Sequence, residues 1–141
     1  MPTPLGAERS DSVRVLLVED DNLVRQALSL VLEELPDIEL VGQATLAGEG
    51  VAFARQHQPD VVLLDRRLPD GDAVDTIELF HQASPASRVL VLTGDADGEI
   101  IARAIEAGAA GLALKAVQRD RLVTTIRRVA AGERLFPPSR A

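Results

Sequence analysis

A chain of 141 residues has the size of one domain built around one core. Its 46% apolar content with only 2% aromatics makes that core aliphatic, and fifteen basic against twenty-two acidic residues (net charge -7) exclude a surface built to meet nucleic-acid phosphates. The absence of cysteine excludes disulfides and thiolate metal ligands, and fits a reducing cytoplasm.

The N-terminal "MPTPLGAERSDS" has neither a basic start nor an apolar stretch, so it does not read as a signal peptide. Rich in Pro, Gly and Ser, residues 1–12 are expected to form a flexible tail. "VRVLLV" (13–18) follows, the first of five short apolar runs. The others are "IELVGQA" (38–44), "DVVLL" (60–64), "RVLVLT" (88–93) and "AGLAL" (110–114). Short, near-continuous and β-branched, they suit strands covered on both faces. No run approaches the roughly 20 residues that span a bilayer, so the reading is a cytoplasmic domain with no membrane partner.

Helical spacing fills the intervals. Leu23, Ala27, Leu30 and Val31 form one apolar stripe, with Asn22 as its expected cap. Weaker patterns cover 46–57 and 73–82. Ile101, Ala104, Ile105 and Gly108 form another stripe, and Leu122, Ile126 and Val129 a last one. Glycines at 108 and 132 mark helix ends. Five strand–helix units in succession predict an α/β domain over residues 13–134, a parallel sheet with helices on both faces. "LFPPSRA" (135–141) reads as a C-terminal tail or the start of a linker, since two prolines cannot continue a helix.

Ligands of an open parallel sheet bind beyond the carboxyl ends of its strands. Here the first strand ends in Glu19-Asp20-Asp21, the third in Asp65, the fourth in Thr93-Gly94 and the fifth in Lys115. Three close carboxylates repel one another unless they share a cation. An oxygen-only set without His or Cys favours a hard ion such as Mg2+. Asp65 can then act as a nucleophile toward phosphorus, Thr93 can donate a hydrogen bond to a phosphoryl oxygen, and Lys115 can pair with it. Gly94 leaves the approach open. Lys115 is the one lysine among fourteen arginines, which marks a site that needs a compact ammonium rather than a planar fork. His57 and His81, isolated from each other and from the acids, read as solvated helix residues, and so does Arg66 as a solvated charge.

The segments "VLLVEDDNLVRQAL", "PDVVLLDRRLPDGDAVD", "RVLVLTGDAD" and "AGAAGLALKA" together resemble the receiver domain of bacterial two-component response regulators. The likeness implies a doubly wound (βα)5 fold with strand order 2-1-3-4-5. It implies that Asp65 accepts phosphate from a sensor histidine kinase. It further implies that Asp20 and Asp65 bind Mg2+ through their side chains, Arg67 through its backbone carbonyl and Glu19 directly or through water. Thr93 and Lys115 would read the phosphoryl group. The "AAGE" after the last helix resembles the NarL/FixJ (LuxR-type) branch, whose receivers usually precede a helix-turn-helix domain. That implies control of transcription through an output domain, with no nucleic acid bound by the receiver itself. Homodimerisation is a possible consequence, through the face of the fourth and fifth units or through the first and last helices.

Three residues depart from the family pattern. Leu112 stands where an aromatic switch residue is common, Ala116 replaces the usual Pro or Asp after Lys115, and Ala73 the usual Gly after Asp72. Any switching must therefore use Thr93 and backbone shifts. Arg67 and Asp95, two residues beyond Asp65 and Thr93, either are two solvated loop charges or meet over the site and shield an acyl phosphate from water. Other readings are a magnesium-dependent phosphatase, which wants an acid where Arg67 stands, and a flavin carrier, for which the aromatics are lacking. A degenerate receiver that only binds partners is the remaining one. As a receiver the domain is not an enzyme beyond its own phosphorylation and dephosphorylation.

Overall fold

The computed structural model describes residues 12–138; the expected tail lies outside them apart from Ser12, as do the last three residues of the C-terminal segment. In chain order the elements are β1 (Val13–Val18), α1 (Asn22–Glu33), β2 (Ile38–Ala44), α2 (Ala47–His57) and β3 (Val61–Asp65). A small hairpin follows, β4 (Arg67–Leu68) and β5 (Gly71–Asp72), then a 3-10 turn (Ala73–Thr76) and α3 (Ile77–Ala83). The chain continues through β6 (Arg88–Thr93), α4 (Gly98–Ala107), β7 (Gly111–Leu114) and α5 (Arg119–Ala130). The main sheet is parallel, in the order β2-β1-β3-β6-β7. This is the expected 2-1-3-4-5 topology, with the hairpin as an unforeseen addition.

Alternation along the strands builds two cores. Leu16, Val18, Val62, Leu64, Val89 and Val91 pack against α2, α3 and α4, around the fully buried Phe80 and Ile77. Val15, Leu17, Val61, Leu63, Leu90 and Leu92 point the other way, onto Leu32 of α1 and Leu122, Val123, Ile126 and Val129 of α5. Both faces being covered is why the runs carry almost no polar residue.

The structure corrects the reading of α1. Leu23 is 78% and Leu30 64% exposed, and Ala27 is exposed as well. Of the expected stripe only Val31 faces the sheet, joined there by Leu28 and Leu32. Two overlapping stripes of helical period run along this segment, and periodicity alone cannot choose between them. The cap is also one residue earlier than expected: Asp21, not Asn22, accepts hydrogen bonds from the N–H groups of Leu23 (2.9 Å) and Val24 (3.0 Å). Ile105, placed in the α4 stripe, is 41% exposed, while Ile100, Ile101 and Ala104 are buried. The helix expected over 73–82 divides into the 3-10 turn and the short α3.

Gly108 and Gly132 sit at φ +96° and +106° after α4 and α5, the left-handed backbone that ends helices cheaply only at glycine. Beyond α5 the chain returns to the sheet edge. Leu135 donates its N–H to Ala110 O and accepts from Leu112 N, each at 3.0 Å, so sheet hydrogen bonding extends one residue past Arg134.

Phe80, the largest side chain buried in full, joins α3 to the sheet under α2. Phe80→Ala is expected to cost about 3–5 kcal/mol of unfolding free energy, read as a lower urea midpoint at unchanged slope.

Candidate functional site

Strand register brings the polar residues together. Val18 pairs with Leu64, so the next residues, Glu19 and Asp65, emerge side by side. Asp65 pairs with Leu92 and Thr93 with Leu114, so Thr93 and then Lys115 leave the sheet at the same edge. Lys115 N donates to Thr93 O at 2.8 Å and holds that exit in place.

The side chains of Glu19, Asp20, Asp65 and Lys115 converge at this edge. One carboxylate oxygen from each of Glu19, Asp20 and Asp65 lies within 4.8 Å of the others. Glu19 and Asp65 are buried and Asp20 is exposed. Lys115 Nζ stands 2.8 Å from Asp65 Oδ1 and 3.4 Å from Glu19 Oε1. Glu19 Oε2 accepts from Asp21 N at 3.1 Å, but Oε1 is buried with no hydrogen bond. A buried acceptor served only by an ammonium at 3.4 Å is under-satisfied. Beside an oxygen-only donor set, it fits a hard divalent cation.

The electrostatics follow from this crowding. Burial first, and then the nearby Asp65 carboxylate, push the Glu19 carboxyl up from 4.5 to about 7. Burial pulls Lys115 down, but its hydrogen bond to Asp65 and the charges of Asp65 and Glu19 outweigh it, so the ammonium is held above its ordinary range.

Asp65, Arg66, Arg67, Thr93, Gly94, Asp95 and Lys115 line a cavity of about 330 Å3. Nothing lies within 4 Å of where a Cβ on Gly94 would stand, so the approach is open as expected. The Thr93 hydroxyl donates to Asp95 O (3.0 Å) and accepts from Asp95 N (3.3 Å), turned to its own loop. Leu112 is 3% exposed and packed in the α2–α3–α4 core. Ala116 lies exposed in the turn after Lys115, and Ala73 is buried in the first turn after β5.

Some expectations change. Arg67 and Asp95 border the same cavity, yet no ion pair joins them among the described residues. Arg66 is not a solvated charge: its side chain is 16% exposed, with Nε 3.5 Å from Asp72 Oδ2. Arg103 of α4 reaches Asp72 (3.3 Å) and Asp75 (3.2 Å), and is held above its ordinary range chiefly by the charge of Asp72. Asp70, in the hairpin turn, accepts from Ala47 N (3.1 Å) and Gly48 N (3.0 Å), capping α2 from another element. No local pattern foretold these partners. His57 stacks on Phe53 at 4.2 Å, and His81 borders pockets away from the acids.

Residues 15–127 match the family model of the response regulator receiver domain. The chain belongs to the response regulator receiver family. This receiver is 40% identical over 124 residues to the transcriptional regulatory protein MctR of Rhizobium johnstonii, covering 88% of this chain and 58% of that protein. It is 34% identical to the transcriptional regulatory protein LiaR of Bacillus subtilis, over 86% and 57% of the two chains. The receiver thus spans somewhat over half the length of these curated relatives. A solved LuxR-family two-component response regulator from Aurantimonas superposes with a TM-score of 0.84 at 31% identity, over 90% of this chain and 91% of that one. The receiver domain of a response regulator NarL from Mycobacterium tuberculosis gives 0.83 at 28%, over 87% and 99%. The LuxR/NarL-type branch expected from the C-terminal sequence is therefore the one its relatives represent. Receivers bind Mg2+ and serve as signalling domains, which sets aside the phosphatase and flavin-carrier readings. Among the described residues no helix is long and apolar enough to cross a membrane.

Because Glu19 has its folded pKa above the unfolded one, the native state keeps a proton that the unfolded chain releases between about pH 4.5 and 7. Stability of the metal-free protein is therefore expected to fall as pH rises through that window. Thermal unfolding from pH 5 to 8 checks this, and Glu19→Gln should remove that part of the slope.

Proposed function

We propose that Asp65 is the phosphoacceptor of this receiver and that a sensor histidine kinase in the cytoplasm is its donor. The observation that carries the reading is the 2.8 Å ion pair of Lys115 with a buried Asp65 that belongs to a triad of carboxylates and lines a cavity. Glu19, Asp20 and Asp65 would hold Mg2+ by their side chains and Arg67 by its carbonyl. The bound ion supplies the positive charge that lets a phosphoryl group approach three acids.

The residues then divide the work. A carboxylate oxygen of Asp65 attacks phosphorus, the bond from phosphorus to the kinase imidazole nitrogen breaks, and its electron pair returns to the ring, which takes up a proton. Lys115, already paired with Asp65, follows the negative charge onto the phosphoryl oxygens. Thr93 exchanges its contacts with Asp95 for a phosphoryl oxygen, and the β6–α4 loop moves with it. Leu112 fills the core and takes no part in the change. Residues 13–134 form the receiver, Leu135 extends its sheet edge, and the rest of 135–141 is tail or linker; the new surface controls transcription through an output domain, alone or as a homodimer.

Incubation with acetyl phosphate and Mg2+ is expected to add the mass of one phosphate. The addition should vanish in Asp65→Asn and on chelation of the metal. An unchanged mass in the parent protein would overturn the reading. Arg67→Ala is expected to speed hydrolysis of the acyl phosphate severalfold by admitting water, measured as loss of that mass over time.

A further inference from the structure

Arg66 is the one basic group at the site with no established task. Arg66 is among the residues that line the cavity with Asp65, Thr93 and Lys115. Its Nε is buried without a hydrogen-bond partner, although an unpaired buried donor is costly. The nearest carboxylate, Asp72 Oδ2, is 3.5 Å away, too far for a good bond.

Asp72 is also committed elsewhere. Its Oδ1 accepts from Val74 N at 3.0 Å, capping the 3-10 turn, and its Oδ2 lies 3.3 Å from Arg103 NH1. Arg66 is thus the weaker of two claimants on one oxygen. Its backbone is pinned at both ends, by its N–H to Leu92 O (2.9 Å) and its carbonyl from Ala73 N (2.6 Å). Only the side chain is free to change partner.

We propose that Arg66 is an additional phosphoryl ligand, parked beside Asp72 until Asp65 carries phosphate. The inference rests on Asp65 being the phosphoacceptor. A phosphoryl dianion offers the planar guanidinium the paired acceptors that Asp72 does not. As Arg66 swings across, Asp72 Oδ2 is left to Arg103 alone. Arg103 also holds Asp75 at 3.2 Å, so the transfer redraws the ion pairs that tie α4 to the β5 corner. The exchange carries the state of Asp65 to α4 in a chain whose position 112 holds leucine.

The test uses the full 141-residue chain with Mg2+ and beryllofluoride as the phosphoryl probe, with Kd read by calorimetry. Arg66→Ala is expected to weaken beryllofluoride binding about tenfold, the scale of one charge-assisted bond, while leaving the Kd for Mg2+ unchanged. Arg66→Lys should restore part of the loss. Asp72→Asn, which can still cap Val74, frees Arg66 from its rival and should tighten the probe. A residue that merely supports the fold would not give opposite signs at the two positions. The Arg103 Nε–Hε resonance should shift on adding probe to the parent and stay fixed in Arg66→Ala. Equal affinity in parent and Arg66→Ala, or weaker binding in Asp72→Asn, would overturn the proposal. If Arg66→Ala does not fold, Arg66→Lys and Asp72→Asn decide by their directions. A parent protein that fails to bind the probe at all would instead sink the phosphoacceptor reading.

Discussion

Three carboxylates gathered at one edge of a parallel sheet, with a single ammonium among them, set the terms for the rest of this receiver. Parallel strands leave the sheet at the same end, so side chains far apart in sequence meet there without any long loop to carry them. The aliphatic layers on both faces hold that edge rigid, and they leave Glu19 and Asp65 little water with which to share their charge. Lys115 relieves part of the repulsion, standing 2.8 Å from Asp65 Oδ1 and 3.4 Å from Glu19 Oε1. Such a cluster suits a divalent cation, the first requirement of the phosphoryl transfer proposed above.

The signal has to leave this edge by small moves. Thr93 rests on its own loop, at the start of the segment that leads into α4. Arg66 and Arg103 compete for Asp72 at the other side of the same corner. Leu112 is locked into the core between β6 and the helices, and an aliphatic side chain there has no polar end to draw it toward water. Hydrogen bonds and ion pairs, with well-separated alternative partners, are the natural two-state elements in such a site.

The hairpin of β4 and β5 gives the corner its stiffness. Arg67 pairs with Asp72 across it, and Asp70 at its turn reaches over to cap α2. Asp70 is kept below its ordinary range by the two N–H groups it accepts, Gly48 first and then Ala47. The stretch after Asp65 is therefore fastened to two neighbouring elements, which suits a backbone expected to offer a carbonyl to a metal.

Much of this was legible in the order of residues. Strand runs are short and local, and their polar last residues, Glu19, Asp65, Thr93 and Lys115, needed only the parallel topology to be placed together. The oxygen-only donor set and the lone lysine also belong to composition, so the sequence by itself determined the fold class and the place of the acidic site. Tertiary structure alone decided which of two apolar stripes on α1 turns inward, because both have helical period and only packing against β2 and β1 distinguishes them. It likewise decided that Arg66 is buried beside Asp72, that Arg103 joins them from 31 residues away, and that Thr93 faces Asp95. A partner as distant as Arg103 is chosen by the path of the backbone and by the cost of leaving a charge unpaired, neither of which is written in local spacing.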